Sequence, residues 1–272
     1  MGLRGTHSRR GIYILPNLFT TAGLFFGFYA IVQATLGHFE NAAIGIFVAM
    51  LMDGLDGRVA RITNTTSDFG KEYDSLADVI AFGLAPALVM FEWSLSASGK
   101  IGWLCAFVYV SATALRLARF NTQEVRDKRF FQGMPCPAAA ACVAAWVWTF
   151  SSFGITDGFI EGLSLLMILA LSLAMVGNVR YRSFKELDLK GKVPFVALIV
   201  PVIVLATISF DPPRVLFTIF FAYLVSGPIS WLGRRCRRRR RASGARSPAG
   251  GTAPKPVSGA PPKQPGSTED LH

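Results

Sequence analysis

Four aspartates in an otherwise apolar region have the residue type and the spacing that could do chemistry. Asp53 and Asp56 are separated by two residues, and Asp74 and Asp78 follow after a short polar link. On insertion scales, a carboxylate at the centre of a membrane helix costs about 2.5–3.5 kcal/mol. Four such groups oppose insertion of the helices into the membrane unless a cation neutralises their charge. A divalent metal ion is the simplest such cation.

Helical periodicity predicts that the two pairs can face each other. Asp53 and Asp56 fall on one stripe of an α-helix, which Gly57 and Ala60 share and Arg61 borders. The second pair, at i and i+4, shares one face of the next helix. Two inward-facing pairs on adjacent helices can offer oxygens to one or two hard cations such as Mg²⁺ or Mn²⁺. Metal ions of this kind beside arginines suit phosphate chemistry.

The residues alone leave other interpretations of the acids open. They could form salt bridges with Arg58, Arg61 and Lys71, or they could be loop residues if the helices end early. They could also be the binding site of a cation transporter. A transporter of that kind would be expected to show inverted repeats or broken helices near the bilayer midplane, and the sequence shows neither.

The elements that must position the acids are predicted to be transmembrane helices. Hydrophobic residues make up 51% of the 272 residues, and the mean hydropathy is +0.41. The apolar residues lie in long blocks, several of which approach the roughly 20 residues that span a bilayer. We therefore predict an all-α, polytopic membrane protein with about eight transmembrane helices. The predicted spans are 14–36, 40–60, 75–93, 101–119, 136–153, 158–177, 193–210 and 213–232.

The distribution of basic residues predicts the orientation. Lys and Arg concentrate before the first span, after every even-numbered span and in the C-terminal segment, whereas the alternate loops and their flanks contain only Lys100 and Arg214. By the positive-inside rule, both termini and the four aspartates are expected on the cytoplasmic side of the cell membrane.

The C-terminal segment has a different composition from the rest of the chain. Residues 233–272 begin with a run of arginines and continue as a Pro/Gly/Ser-rich stretch, which predicts a disordered cytoplasmic tail after an integral membrane domain at 1–232. The tail holds ten basic and two acidic residues, so eight of the eleven net positive charges lie outside the predicted folded part. The high net charge is therefore no indication of a nucleic-acid partner.

The aspartates belong to a longer motif. The run D-G-L-D-G-R-V-A-R at 53–61, followed by Gly70, Asp74 and Asp78, matches every fixed position of D-x2-D-G-x2-A-R-x8-G-x3-D-x3-D. This pattern resembles the signature of the CDP-alcohol phosphotransferase family. The resemblance implies a helical membrane core in which a phosphatidyl or similar group passes from a CDP-linked donor to an alcohol, with release of CMP.

Other blocks resemble the branch of that family that makes phosphatidylserine. They lie at 14–20, 115–121 and 131–140. The resemblance implies CDP-diacylglycerol as donor and L-serine as acceptor. Met134 and Cys136 depart from the Leu and Ser expected there, without a change of charge. Another acceptor, such as glycerol 3-phosphate or an inositol phosphate, stays open.

The resemblance also implies roles for individual residues. Asp53, Asp56 and Asp74 would hold the divalent cations, expected to be two Mg²⁺ or Mn²⁺ ions. Asp78 would share in metal binding and activate the acceptor hydroxyl. The residues implied to contact the CDP moiety are Asn17, Gly57, Ala60, Arg61 and Gly70.

Two further sets of residues could contact partners. Arg116, Arg119 and Asn121, at the end of the fourth span, could bind the serine carboxylate or a phosphate by charge-assisted hydrogen bonds. Positive-inside flanking is the other explanation for these arginines. Gly23 and Gly27 form a G-x-x-x-G motif, which indicates close helix packing and leaves a homodimer possible.

Overall fold

The computed structural model describes residues 14–63, 65, 67–122, 130–154, 157–177, 180–182, 202–203 and 206–227. Within these ranges the chain is almost entirely helical, as the sequence predicts. The exception is one antiparallel pair of three-residue strands, β1 (Phe130–Gln132) and β2 (Arg180–Arg182). The predicted tail at 233–272 lies outside the described residues.

Besides helical residues at 202–203 and 206–210, the described residues contain eight α-helices. They are α1 (Ile14–Thr35), α2 (Phe39–Ile62), α3 (Asp68–Asp78), α4 (Ala85–Trp93), α5 (Lys100–Thr122), α6 (Cys136–Ser152), α7 (Gly158–Val176) and α8 (Pro212–Gly227). A π-helical segment, Val79–Leu84, joins α3 to α4, and a 3₁₀ turn at Leu95–Ser98 precedes α5. We call Val79–Leu84 the π segment.

Several helices are long and apolar enough to cross a membrane, which indicates a multi-pass membrane protein. By length and composition, four candidate spans are found among the described residues: Leu15–Thr35, Asp68–Trp93, Lys100–Thr122 and Gly158–Val176. Helices α6 and α8 are apolar but shorter. Because most of the predicted span 193–210 lies outside the described residues, the count of eight stays a prediction.

The third span begins earlier than the sequence suggested. The predicted range is 75–93, whereas the helix starts at Asp68. The Ser67 side chain is the reason, because its Oγ accepts a hydrogen bond from the Gly70 N–H at 3.0 Å and caps the first turn. The polar residues before Asp74 are therefore helical.

Helix α6 forms the centre of the bundle. From Ala139 to Thr149 its side chains are buried on every face. It packs against α2, α4, α7 and the π segment. Large apolar side chains such as Phe25, Phe107 and Leu173 are instead exposed on the outer helices. Lipid chains can solvate such a surface.

Small residues let α1 approach its neighbours closely. A Cβ on Gly27 would lie 2.8 Å from the Cα of Ala81 in the π segment. A Cβ on Gly23 would lie 3.6 Å from the carbonyl oxygen of Ala49 in α2. The close helix packing that the G-x-x-x-G motif predicts is therefore present, and it occurs within one chain.

Helix α5 supports the π segment from another side. The Tyr109 hydroxyl donates to the Phe82 carbonyl oxygen at 3.3 Å. A Cβ on Gly83 would lie 3.2 Å from Cγ2 of Thr113. These contacts fix the wide turn that directly follows Asp78.

Gly27→Ala tests this packing. Because the new methyl group would meet backbone atoms of Ala81, we expect a loss of stability of about 1–3 kcal/mol, as for other overpacked sites. The measurement is the thermal midpoint of the purified protein in detergent. Gly162→Ala is the matched control, since a Cβ at this helical glycine meets nothing within 4 Å. A Gly27→Ala midpoint equal to the wild-type value would contradict the packing described.

Candidate active site

Four carboxylates surround one small cavity. Asp53 and Asp56 come from α2, and Asp74 and Asp78 come from α3. One carboxylate oxygen each from Asp53, Asp56 and Asp74 lies within 4.8 Å of the others. The cavity has a volume of about 10 Å³, which is close to that of one water molecule or ion.

The walls of this cavity contain no cationic side chain among the described residues. The other residues that line it are Thr20, Gly23, Leu24, Ala49, Ala77, Ala81 and Phe82. Asp56 is the least solvent-exposed of the four acids, at 6% exposure. Its Oδ2 accepts a hydrogen bond from the Thr20 hydroxyl at 2.8 Å. Clustered carboxylate oxygens in a cavity whose described lining contains no basic side chain fit a hard divalent cation, so the cluster could hold a metal ion.

Two of the cations that could have neutralised the acids make other contacts. The Lys71 ammonium pairs with Asp68 at 3.0 Å, on the exposed side of α3. The Arg61 Nε donates to the Gly57 carbonyl oxygen at 2.8 Å. The loop interpretation of the four acids is wrong, because all four lie within helices.

A larger cleft lies beside this cavity, and two of the four acids, Asp56 and Asp74, line it as well. Its volume is about 310 Å³, and it lies between α1, the end of α2 and the start of α3. It shares Thr20, Asp56 and Asp74 with the small cavity. The full described lining is Pro16, Asn17, Thr20, Asp56, Gly57, Ala60, Arg61, Thr65, Ser67, Gly70, Lys71 and Asp74. It includes all five residues expected to contact the nucleotide.

Gly70 allows α1 and α3 to meet at the floor of this cleft. A Cβ at that position would lie 3.1 Å from the Ser67 Oγ and 3.4 Å from the Asn17 Oδ1. A side chain there would press on both the helix cap and the Asn17 amide. The fixed glycine of the motif therefore has a steric cause.

Several residues at the site were missed by the sequence reasoning. Thr20 lines both cavities, and Thr65, Ser67 and Lys71 line the larger one. The sequence contained one weak indication of a role for Thr20, its spacing from Asn17. Thr20 follows Asn17 by three residues, which places both on one face of α1.

Arg116 lies near the acids although the described lining of neither cavity contains it. Its Nη1 contacts the Cys136 Sγ at 3.2 Å. Its Nε is buried and has no hydrogen-bond partner among the described residues. The guanidinium is also within electrostatic range of Asp78. It is therefore a cation with unused hydrogen-bonding capacity beside one of the four carboxylates.

Asn121 and Arg119 lie at the same end of α5, outside the described lining of both cavities. The Asn121 amide donates to the Ser75 Oγ at 2.8 Å. Ser75 directly follows Asp74, so this bond ties α5 to the helix that bears two of the acids.

A double-mutant cycle tests the tie between α5 and α3. Asn121→Ala and Ser75→Ala should each lower thermal stability by about 0.5–1.5 kcal/mol, because each removes the same hydrogen bond. The double variant should be little worse than either single one. Thr122→Ala is the control partner for Ser75→Ala, since within the part of the chain that the structure describes the Thr122 hydroxyl bonds to carbonyls of its own helix. Strictly additive losses in the Asn121 cycle would contradict the contact.

The sequence of the chain matches a family model and several curated proteins. The family model described as CDP-alcohol phosphatidyltransferase matches residues 13–176, which include the four aspartates and the cleft. A relative from Helicobacter pylori is 40% identical over 223 residues, which cover 81% of this chain and 92% of the relative. A relative from Mycobacterium tuberculosis is 33% identical over 234 residues, covering 82% of this chain and 80% of the relative.

A relative from Bacillus subtilis is 34% identical over 172 residues, with 63% of this chain and 92% of the relative covered. All three relatives carry the name CDP-diacylglycerol–serine O-phosphatidyltransferase. The extent of the family match and the coverage of these relatives lead to one conclusion: the chain belongs to the CDP-alcohol phosphatidyltransferase family.

Proposed function

We propose that the protein transfers the phosphatidyl group of CDP-diacylglycerol to L-serine, which gives phosphatidylserine and CMP. The observation that carries the proposal is that the large cleft lies directly beside the acid-lined cavity, with Thr20, Asp56 and Asp74 lining both. Family membership and the names of the relatives support it. The transporter interpretation is not favoured by these relatives.

The cleft has the size and the groups to take the CDP moiety. Its volume of about 310 Å³ falls at the lower end of the usual range for ligand pockets, roughly 300–1,000 Å³. Arg61 and Lys71 offer cationic donors to phosphate oxygens. The ion pair of Lys71 with Asp68 is solvent-exposed, and such pairs are weak enough to exchange partners. Gly57 and Gly70 leave the cleft walls bare.

The acids next to the cleft would hold the cofactor. Asp53, Asp56 and Asp74 are proposed to bind two Mg²⁺ or Mn²⁺ ions, with Asp78 sharing in the binding. Held by these carboxylates, such ions would supply Lewis-acid stabilisation of the negative charge that develops on the transferred phosphoryl group. The position of Asp56 and Asp74 in both cavities would place the pyrophosphate of the donor at these carboxylates.

The acceptor is proposed to bind between Arg116 and Asp78. The guanidinium of Arg116 has a buried Nε without a partner among the described residues and only a weak acceptor, the Cys136 Sγ, at Nη1. The serine carboxylate would satisfy these donors. Arg119 and Asn121 remain candidates for contacts at the same end of α5.

Asp78 would then act as the general base. The serine hydroxyl oxygen attacks the phosphorus that bears the diacylglycerol group, while Asp78 accepts the hydroxyl proton. A new P–O bond to serine forms as the P–O bond to CMP breaks, and CMP leaves with the bonding electron pair. Arg116, close to Asp78, would hold the carboxylate end of serine while this occurs.

The proposal includes the orientation of the protein in the membrane and the route by which the lipid donor enters. The distribution of Lys and Arg supports a cytoplasmic active site and cytoplasmic termini in the cell membrane. The donor would enter laterally between helices, because its acyl chains cannot leave the bilayer at low cost. A homodimer would need a surface other than the Gly23 and Gly27 stripe, since both glycines pack within the chain.

An acceptor panel tests the activity. Purified protein with CDP-diacylglycerol and Mn²⁺ or Mg²⁺ should release CMP with L-serine and should release little with glycerol 3-phosphate or an inositol phosphate. Arg116→Ala should raise the serine KM and leave the KM for CDP-diacylglycerol nearly unchanged. Lys100→Ala, at the opposite end of α5, is the control and should match the wild type. Release of CMP with another acceptor alone, or cation flux without CMP release, would overturn the proposal.

Asp78→Asn tests the proposed base. General-base catalysis contributes about 10²–10⁴-fold, so kcat should fall by that order while binding of CDP-diacylglycerol and metal is largely kept. Asp68→Asn is the matched control, because Asp68 lies on the same helix, is exposed and pairs with Lys71.

Two results would refute the role of Asp78. One is near-wild-type turnover by Asp78→Asn. The other is retention of configuration at phosphorus with a chirally labelled donor, because direct attack by serine inverts that centre.

A further inference from the structure

The Thr20 hydroxyl joins α1 to the acid cluster. Thr20 is buried, at 6% exposure, and lines both the small cavity and the large cleft. Its Oγ1 lies 2.8 Å from Oδ2 of Asp56 and 3.2 Å from the carbonyl oxygen of Pro16 in its own helix. A threonine hydroxyl has a single proton, so only one of these acceptors can take it fully.

The carboxylate is the better acceptor of the two. Hydrogen bonds to ionised groups are shorter and roughly twice as strong as neutral ones, and the bond to Asp56 is the shorter contact. Two other threonines of the bundle place their hydroxyl against a carbonyl oxygen of their own helix. Thr21 lies 2.7 Å from the Asn17 carbonyl oxygen and Thr113 lies 3.0 Å from that of Tyr109, each four residues back in its own helix. The Thr20 proton is thus directed away from its own helix.

The Thr20 bond constrains the Asp56 carboxylate more than the backbone hydrogen bond that this carboxylate also accepts. That other contact comes from the backbone N–H of Gly57, the next residue in α2. Thr20 belongs to a different helix, so its bond fixes the carboxylate relative to α1 as well as to α2. With these two hydrogen bonds accepted, the carboxylate keeps lone pairs that can bind other partners.

We propose that Thr20 is a positioning residue, which orients the Asp56 carboxylate for cation binding and sets the affinity of the acid cluster for its divalent metal. The inference rests on the proposed metal site and adds a residue to it that lies outside the aspartate motif. Partners that orient metal ligands in this way typically contribute about 10–100-fold to metal affinity or activity. Thr20 would act through Asp56 and would not itself touch the reacting atoms.

The test compares Thr20→Val with Thr20→Ser and uses the full-length protein. Thr20→Val keeps the shape and removes the hydroxyl, whereas Thr20→Ser keeps the hydroxyl. Mn²⁺ binding is measured directly, from the electron paramagnetic resonance signal of free Mn²⁺ at increasing protein concentration. Thr20→Val should bind Mn²⁺ about 10–100-fold more weakly, and Thr20→Ser should bind it nearly as the wild type does.

Kinetics give a second measurement, whose result would stay unchanged if Thr20 had only a structural role. In Thr20→Val the Mn²⁺ concentration for half-maximal CMP release should rise, and kcat at saturating Mn²⁺ should recover most of its wild-type value. Thr149→Val is the matched control, because Thr149 is buried and its hydroxyl has no hydrogen-bond partner among the described residues. This variant should keep wild-type Mn²⁺ affinity.

The outcomes separate this inference from the proposed function. If the wild type binds no Mn²⁺, the metal site itself is wrong, and the inference falls with it. If the wild type binds Mn²⁺ and Thr20→Val binds it equally well, the role of Thr20 alone is wrong. If Thr20→Val does not fold, Thr20→Ala takes its place, and the same comparison with Thr20→Ser decides.

Discussion

Mutual repulsion among four carboxylates is the constraint on which the arrangement of this bundle depends. Asp53, Asp56, Asp74 and Asp78 line one cavity of about 10 Å³ with no cationic side chain in its described lining. A carboxylate is costly to bury without a counter-charge, and like charges a few ångströms apart add to that cost. The packing of the surrounding helices has to hold the acids together until a cation arrives.

Small residues make that packing possible. Gly27 brings α1 against the backbone of Ala81, and Gly83 brings the π segment against Thr113 of α5. The same closeness creates the space that the acids share, because Gly23, Ala49 and Ala77 contribute little volume to the cavity wall. Small residues on several helices therefore form both the helix interfaces and the wall of the site.

The sequence predicted the parts of the site that depend on local periodicity. The spacing of Asp53 and Asp56 and of Asp74 and Asp78 indicated two helical faces, and the structure brings these side chains to one cavity. The start of α3 was missed because the polar run before Asp74 resembles a loop unless the Ser67 cap is recognised. The bond from Thr20 to Asp56 joins residues 36 positions apart. No local pattern could reveal it.

The π segment was also beyond the reach of sequence patterns, and it has a consequence for how the chain tolerates changes in length. Its hydrogen bonds run from i to i+5, so Val79–Leu84 accommodates one residue more than an ordinary helical turn would. Loss of one codon from this stretch would restore a regular helix and leave composition and helicity almost unchanged. Because the wide turn holds its extra residue with little change in the rotation of the flanking helices, α3 and α4 would keep nearly the same faces toward their neighbours. A deletion within the regular part of a helix would instead rotate one side relative to the other by about 100°, the angle of one residue. The π segment is thus a place where the chain can shorten by one residue while Asp74 and Asp78 still face α2.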